Sequence, residues 1–579
     1  MVDHALHLTD ALTAIARPRV ALFIIIALGL MFYFIDLGHP MYTFGEPREG
    51  VTVIDVLSGH GLILPRDPIV EMPFKPPMMR WLASLSAELA GGLKGLTETT
   101  MRLPSATLGI GGMLVCYAYG AALFEPIVGL LAALMLGTSL QYLQAATIAR
   151  VDMTFTFFLE VALFEFLYMA EGLTSRWLLF YLAVAGAVLS KGPAGFVVPA
   201  SVAIVWSVVE RRQPTARLRV APGLVVVALL AGGWYAAAIA IGGTRFVLRQ
   251  LVDENLFAVI HNSTVGAGHN HTFLWLSIAL LAGWLPWTLL LPWVVADLAP
   301  RWRRPRSSYL IIWSVTVVLF YSLAHQKRGI YLLAIYPALA VLTAGFVRHL
   351  DKASLPRLFP AVGLIGGVAF MGFGLGELML LPVTLLYPSI AAKLMALVGV
   401  RVASFVVGLR AELVHHGALA ASLPSLTLLF GLGLIACRSK PLQLFGMMVG
   451  GIGTAIVAAQ LFIVPAIAYA ITLKNFAEES IRLIDHHSVD YLIGLNYEFS
   501  FYSRRRIDSI AGPGANGPDF LLADAEYYHL HAHELNDFEA ALESGPANLD
   551  GTGAMVLLRR KSPDRVEKSL EAQDSQTGR

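Results

Sequence analysis

Charged residues and cysteines are scarce in this chain of 579 residues. Only 14% of its residues are charged, whereas soluble globular domains have about 25%. The net charge is +2, so the chain lacks the basic excess with which proteins bind nucleic acid. The two cysteines, Cys116 and Cys437, lie in separate apolar runs, which excludes a disulfide scaffold and a cysteine-based metal site. With 56% hydrophobic residues, the composition excludes a soluble single domain and leaves a polytopic membrane protein.

Apolar runs long enough to form membrane spans recur along the chain. A helix needs about 20 mostly apolar residues to cross a bilayer. The sequence therefore predicts an all-α polytopic membrane fold with about thirteen such helices. The predicted spans are 19–38, 102–123, 127–146, 151–169, 177–190, 192–209, 220–241, 272–297, 308–325, 330–348, 358–383, 416–437 and 443–470.

Lysine and arginine in the short loops predict the orientation of these spans, since both concentrate on the cytoplasmic side of membrane proteins. The N-terminal segment and the loops after the sixth, eighth, tenth and twelfth spans are rich in them. All of these segments lie on one face, which we assign to the cytoplasm. The remaining loops and the C-terminal part then lie on the opposite face, which for a protein of the bacterial inner (plasma) membrane is the periplasmic side.

The predicted domains follow from where the apolar runs stop. Residues 1–473 form the transmembrane domain, with periplasmic loops at about 39–101 and 242–271. The first loop contains an amphipathic stretch, Pro76–Leu93, that is expected to lie along the membrane surface. Residues 474–561 predict a small periplasmic α/β domain, and the polar tail 562–579 is predicted to be disordered. The expected elements of the small domain are a helix near 475–487 and strands at Val489–Leu495, Phe520–Ala523 and Ala554–Leu558.

Polar residues that are costly near a bilayer gather on the predicted periplasmic side. Lysine and arginine can bind a phosphate by charge, and a carboxylate beside a bound phosphate ester can take the proton of an acceptor hydroxyl. The sequence has no evident P-loop or dinucleotide fingerprint. The set therefore predicts a transferase whose donor is a lipid phosphate in the outer leaflet. Its members are Glu46, Arg48, Glu49, Lys75, Arg150, Asp152, Lys191, Glu254, Asn255, His269, His271, His325, Lys327 and Arg328.

Several short motifs follow one another in a fixed order along residues 20–345. They are Gly45-Glu46-Pro47-Arg48, Lys75-Pro76-Pro77, Arg102-Leu103-Pro104-Ser105, Arg150-Val151-Asp152, Ser190-Lys191-Gly192-Pro193 and Tyr331-Leu332-Leu333 followed by Tyr336-Pro337. This ordered set resembles the lipid A 4-amino-4-deoxy-L-arabinose transferases, which belong to the wider protein mannosyltransferase-like group of C-type glycosyltransferases. The resemblance is weak in the later spans and in the C-terminal domain.

The resemblance implies an inverting enzyme that transfers a sugar from a polyprenyl-phosphate donor, here undecaprenyl phosphate, on the periplasmic side. Lipid A or another lipopolysaccharide or envelope glycolipid is the expected acceptor. Carried over by position, Arg48, Lys75 and Lys191 would bind the donor phosphate. Asp152 would organise the acceptor side or assist the carboxylate of the first loop in catalysis.

Further polar residues on the same face extend the predicted site. Lys327 and Arg328 lie where positive charge is uncommon in membrane proteins, and we expect them to contact the donor phosphate; the alternative is binding to lipid headgroups. The residues predicted to contact substrate are Arg150, Glu254, Asn255 and His269.

The chain departs from the aminoarabinose transferases at two positions. Their first-loop motif begins with Asp-Glu, and the Asp is the usual base candidate, whereas this chain has Gly45-Glu46. We therefore predict Glu46 as the substitute base. The relatives also tend to have Glu before Lys-Pro, beside a divalent metal, where this chain has Phe74. A metal is left open, with His269 and Glu71 as remaining ligands. The changes indicate a different acceptor or donor sugar from aminoarabinose.

Two other functions fit parts of the sequence. A protein O-mannosyltransferase-like enzyme would use the same motifs with a polypeptide acceptor. A transporter or lipid flippase would instead place polar residues near the middle of the bilayer in paired broken helices. The predicted spans are nearly free of charge except at one end, which favours the transferase.

Several of the polar residues also have a purely structural interpretation. Glu46 could pair with Arg48 within the loop, and Arg150 could pair with Asp152 at a helix end. The run His529-x-His531-x-His533 would place three imidazoles on one face of a strand, as in a metal site. For that run we favour an exposed surface without metal.

Overall fold

The computed structural model describes residues 17–43, 45–65, 75–212, 215–250, 252, 275–324, 327–352, 359–386, 400–492, 496–505, 507–512, 517–545 and 554–561. Most of this chain is helical. The α-helices are α1 (Pro18–Tyr33), α2 (Gly45–Leu57), α3 (Met78–Leu89), α4 (Glu98–Leu123), α5 (Pro126–Thr138), α6 (Leu140–Ala146), α7 (Val151–Ala170), α8 (Trp177–Lys191), α9 (Ala194–Glu210), α10 (Thr215–Leu218), α11 (Val220–Val227), α12 (Gly233–Phe246), α13 (Trp275–Gly283), α14 (Leu291–Leu298), α15 (Pro305–Leu323), α16 (Tyr336–Lys352), α17 (Pro360–Leu386), α18 (Val400–His416), α19 (Ala418–Ala436), α20 (Pro441–Ala458), α21 (Val464–Ile471), α22 (Lys474–Ile484), α23 (Tyr497–Ser503) and α24 (Ala525–Leu530).

The membrane-spanning character predicted from composition is present in these helices. Eight described helices are long and apolar enough to cross a bilayer, or up to ten if each of two sharply bent pairs is one span. The remaining predicted spans coincide with α1, α8 and α9, which have 16, 15 and 17 residues. At 1.5 Å per residue these are about 22–26 Å long, somewhat shorter than a bilayer core of about 30 Å. The chain is a multi-pass membrane protein, and the count of thirteen spans stays a prediction.

The loop predicted to begin near 242 starts later than expected. The helical run from Val220 continues to Gln250, with one non-helical residue, Gly243, at φ 57° and ψ −149°. A glycine adopts this conformation without the clash that a Cβ would cause. Apolar residues thin out near 242, so hydropathy alone ended the span at the kink instead of at the end of the helix.

The beginning of α7 and the end of α8 each carry a charged residue of the site predicted from the sequence. Asp152 lies in the first turn of α7, where a carboxylate is favoured by the helix dipole. Lys191 is the last residue of α8, where a cation is favoured. Gly192 follows with a φ of 91°, which ends the helix at this point. Because α7 and α8 are consecutive and antiparallel, the beginning of one meets the end of the other.

The sheet predicted near the C-terminus is present. Its strands are β1 (Val489–Leu492), β2 (Ser509–Ile510), β3 (Phe520–Asp524), β4 (Phe538–Glu543) and β5 (Met555–Arg560), in the order β2-β1-β3-β5-β4. β1 runs parallel to β2 and β3, while β5 runs antiparallel to β3 and β4.

The histidine run near the C-terminus is not on a strand, contrary to the sequence interpretation. His529 lies in α24, and His531 follows its end with its ring stacked on that of Tyr527, at 4.1 Å between centroids. Within the described part of the chain, no group of three potential metal-binding side chains is present.

The C-terminal part packs onto helix α2 of the first loop through α23. A Cβ added to Gly50 would lie 2.4 Å from the ring of Phe501, so the two elements touch at this glycine. The Tyr502 hydroxyl accepts a hydrogen bond of 3.0 Å from the Met41 amide, and the Lys474 ammonium lies 2.7 Å from the Glu98 carboxylate. The sheet domain therefore helps to fix the position of α2.

We expect Gly50→Ala to weaken this docking, because its new methyl would overlap the Phe501 ring. Overpacking of this kind typically costs about 1–3 kcal/mol. The apparent melting temperature in detergent should fall, and the C-terminal part should become more sensitive to protease. Gly446→Ala is the matched control, since its methyl meets open space. Equal behaviour of the two variants would contradict the contact.

Candidate active site

Glu46, the predicted base, is enclosed in a buried ion pair. Its carboxylate accepts hydrogen bonds of 2.7 and 3.1 Å from Arg102, and one of 3.1 Å from the Ala149 amide. Both side chains of the ion pair are 0% exposed. Burial would raise the pKa of Glu46, but the charge and hydrogen bonds of Arg102 outweigh it and lower the pKa. Glu46 therefore pairs with Arg102 and not with Arg48, the alternative partner, and it joins α2 to α4 and to the segment before α7. This enclosure does not suit the predicted base, which an acceptor hydroxyl must reach.

A second carboxylate, Asp152, lies at the centre of a charged cluster. The Lys191 ammonium donates a 2.6 Å hydrogen bond to it, and the Arg150 guanidinium lies 3.6 Å away. Asp152 is 5% exposed and Lys191 12% exposed, so this pair is largely enclosed. The Lys191 ammonium also lies 4.6 Å from the centre of the Tyr331 ring, within the range of a cation–π contact. Motifs from three distant parts of the sequence thus meet here.

The first loop contributes further cations to the same place. Lys75 is close enough that its charge acts on both Asp152 and Lys191. The Arg150 guanidinium covers Gly45, where an added Cβ would lie 3.2 Å from its Nε atom. The predicted residues Lys75, Arg150, Asp152 and Lys191 therefore lie together, and α2 forms one wall of the cluster.

Glu49 is the residue of this wall that the sequence interpretation left without a role. It is partly exposed, and the charges of Arg48, Lys75, Arg80 and Arg150 all act on it. Burial nevertheless raises its pKa above the ordinary glutamate value. Its spacing from Gly45, four residues within one helix, was the signal that could have identified it, because such residues share a helix face.

The helix α23 of the C-terminal part also reaches this wall. The Arg48 guanidinium lies 5.7 Å from the centre of the Tyr497 ring, a cation–π distance. Arg80 is buried behind the wall and donates a 3.0 Å hydrogen bond to the Ile63 carbonyl. Burial lowers the pKa of Arg80 to about 10. Neither Tyr497 nor Arg80 is part of the predicted site.

The remaining predicted site residues have no described contact with the cluster around Asp152. Lys327 is buried and donates a 2.7 Å hydrogen bond to the Ala324 carbonyl, and its contact with the donor phosphate stays a prediction. Arg328 precedes the 3₁₀ segment Gly329–Ile335, which carries Tyr331. The predicted substrate residues Glu254, Asn255 and His269 lie outside the described residues, as does the suggested metal ligand Glu71.

Comparison with known proteins supports the motif assignment. The family described as Dolichyl-phosphate-mannose-protein mannosyltransferase matches residues 74–235. An undecaprenyl phosphate-alpha-4-amino-4-deoxy-L-arabinose arabinosyl transferase of Aeromonas salmonicida is 29% identical over 377 residues, which cover 62% of this chain and 65% of the relative. The protein of the same description from Erwinia tasmaniensis is 31% identical over 229 residues, covering 37% and 39%. The chain thus spans less than two thirds of these relatives.

Two solved structures show the same fold. ArnT from Cupriavidus metallidurans bound to undecaprenyl phosphate matches with a TM-score of 0.71 at 17% identity, covering 92% of this chain and 97% of that one. The apo oligosaccharyltransferase of Archaeoglobus fulgidus matches with a TM-score of 0.50 at 13% identity, covering 95% and 75%. These structures show the fold, while the family match and the curated relatives confirm the resemblance inferred from the motifs.

Proposed function

We propose that this chain is an inverting glycosyltransferase that moves a sugar from a polyprenyl-phosphate donor to an envelope acceptor. The observation that carries the proposal is the meeting of Lys75, Arg150 and Lys191 around Asp152 at the ends of α7 and α8. Such a group of cations, with a carboxylate to orient them, suits a phosphate whose negative charge grows as it leaves. The names of the curated relatives state an undecaprenyl phosphate donor, which supports the same donor class here.

The proposed roles follow from the position of each charge. Lys75 and Lys191, with Arg48 from α2, bind the donor phosphate and stabilise the charge that develops on it. Asp152 positions Lys191 through their 2.6 Å hydrogen bond. The acceptor hydroxyl attacks the anomeric carbon from the side opposite the phosphate, so the configuration inverts. A carboxylate of the site takes the hydroxyl proton as the new bond forms.

The acceptor we propose is lipid A or another envelope glycolipid, with the active site on the periplasmic side of the inner membrane. The positive charge of the loops on the opposite face supports this orientation. Gly45 and Phe74, which differ from the aminoarabinose transferases, support a different sugar or acceptor from theirs. The match to the mannosyltransferase family at residues 74–235 supports a polypeptide acceptor as the second candidate.

Mass spectrometry of lipid A, core oligosaccharide and envelope proteins tests this proposal. We expect one of the glycolipid fractions to lose a sugar mass in a strain without the gene. The wild-type gene should restore that mass, and Asp152→Asn should not. A sugar lost from envelope proteins instead would favour the polypeptide acceptor. Unchanged masses in every fraction would contradict the transferase.

A further inference from the structure

The face of α2 that looks onto the charged cluster lacks a carboxylate at its first position. Gly45 stands there, and the Arg150 guanidinium covers it at 3.2 Å from the position of a Cβ. The neighbouring Glu46 points to the other side, into its buried pair with Arg102. Neither residue can therefore offer an accessible carboxylate to an acceptor hydroxyl.

The next position on the same face does carry a carboxylate. Glu49 lies four residues after Gly45 in α2, which is one helical turn. Residues at this spacing project from the same side of a helix. Arg150, which covers Gly45, also acts on Glu49 by its charge, in agreement with a shared face.

We propose that Glu49 is the general base of this enzyme and has taken over, one helical turn along α2, the function of an acid absent at Gly45. This proposal rests on the proposed glycosyl transfer and names the residue that receives the proton. Asp152 is less suited to the task, because Lys191 donates a 2.6 Å hydrogen bond to it and it is only 5% exposed. Glu49 is partly exposed, so a hydroxyl can approach it.

The surroundings of Glu49 fit a base that works next to a phosphate. The charges of Arg48, Lys75 and Arg150 act on it, and Arg48 and Lys75 are two of the three cations proposed to bind the donor. The same cations thus bring donor and base together. Burial raises the pKa of Glu49 towards neutral pH. A base whose pKa lies near the working pH takes a proton more effectively.

The proposed step is balanced as follows. The acceptor oxygen forms a bond to the anomeric carbon and gives its proton to a Glu49 carboxylate oxygen. The bond from the anomeric carbon to the phosphate oxygen breaks, and its electron pair stays on the departing polyprenyl phosphate. The proton on Glu49 then passes to water, which restores the carboxylate for the next turnover.

Glu49→Gln is the first variant of the test, measured in purified full-length protein with a polyprenyl-phosphate sugar and the acceptor identified by mass spectrometry. A general base typically contributes about 10²–10⁴-fold to a rate. We expect kcat to fall by at least about 10²-fold, while KM for the donor changes by less than about threefold. The wild-type rate should decline as the pH falls through the pKa of the base, and the residual rate of Glu49→Gln should lack this acid limb.

Restoring an acid at the first position gives the decisive comparison. In the double variant Gly45→Asp/Glu49→Gln, the new carboxylate would lie beside Arg150 on the same helix face. We expect the double variant to react at least about tenfold faster than Glu49→Gln. Its rate should again decline as the pH falls through the pKa of the new carboxylate. Glu88→Gln, at an exposed carboxylate in α3, is the matched control and should keep the wild-type rate. Melting temperatures in detergent show whether each variant is folded.

The outcomes separate the base from the reaction itself. If the wild-type protein and the Glu49→Gln variant are equally active, the assignment of Glu49 as the base is wrong, while the proposed glycosyl transfer stands. A raised donor KM with an unchanged acid limb would also overturn this assignment, since Glu49 would then only position the cations. A wild-type protein that uses no polyprenyl-phosphate sugar would instead overturn the proposed function.

Discussion

Replacing Arg102 with leucine is expected to destabilise the protein by about 3–5 kcal/mol, because it leaves the Glu46 carboxylate buried without its partner. Arg102 is 0% exposed and also donates hydrogen bonds to the carbonyls of Leu37, His39 and Pro40. All of these acceptors would lose a donor at once. Unfolding of the purified protein in mixed micelles, followed by circular dichroism, measures the change.

Two further variants make this expectation specific. Arg102→Leu/Glu46→Leu removes both charges, so it should be less destabilised than Arg102→Leu alone. Arg212→Leu breaks an ion pair with Glu171 in which the arginine is 49% exposed, and it should cost less than about 1 kcal/mol. A loss of less than 1 kcal/mol in Arg102→Leu would show that the buried pair contributes little.

The same pair predicts how stability depends on pH. The pKa of Glu46 in the folded protein lies below the ordinary value of 4.5. The stabilisation is therefore fully present above the unfolded pKa and is lost as the pH falls below about 4.5 toward the folded pKa. Wild-type protein should lose stability in this acid range more steeply than Glu46→Gln. Equal slopes for both would contradict the assignment.

Lys191→Met is expected to lower kcat/KM by at least about 10²-fold, the loss typical when a preorganised charge at a reacting centre is removed. Lys191 is the closest cation to Asp152, at 2.6 Å, and is proposed to bind the donor phosphate. Steady-state kinetics with a polyprenyl-phosphate sugar measure the change. Lys191→Arg should recover little activity, because its larger head must fit against the Phe155 and Tyr331 rings, at 5.3 and 4.6 Å from the ammonium.

A double-mutant cycle then tests whether Lys191 and Asp152 act as a unit. If Asp152 works by positioning Lys191, Asp152→Asn should cost much less in the Lys191→Met background than in the wild type. Multiplicative losses would show that the two residues act independently. Arg301→Met, at a cation that pairs with Asp297 four residues earlier in a predicted cytoplasmic loop, should leave the kinetics unchanged.

Much of the candidate site follows from the sequence, because its motifs carry charge at the ends of apolar runs. A carboxylate in the first turn of one span and a lysine at the end of the next meet when two antiparallel helices follow each other. Arg150, Asp152 and Lys191 were therefore predictable as neighbours. Lys75 could be assigned to the same site only from the order of the motifs. Helical spacing relates residues within one helix, and it says nothing about how the first loop packs against the ends of the spans.

The choice between Glu46 and Glu49 shows where such reasoning fails. Both residues follow Gly45 in the same short helix, and a sequence comparison favours the adjacent one. Glu46 instead faces Arg102, whereas Glu49 lies among the cations of the charged cluster, such as Lys75 and Arg150. Helical spacing identifies which of the two glutamates shares a face with Gly45, but only the position of Arg102 shows that the other is enclosed.

Composition and hydropathy were sufficient to predict a multi-pass helical membrane protein with a small C-terminal sheet, because burial in lipid and the periods of helix and strand are local properties of the chain. The docking of Phe501 against Gly50 and the enclosure of Glu46 came from long-range packing. Each depends on a surface formed by residues distant in sequence. For the same reason, the tertiary structure was required to show that Glu46 is enclosed while Glu49 is partly exposed.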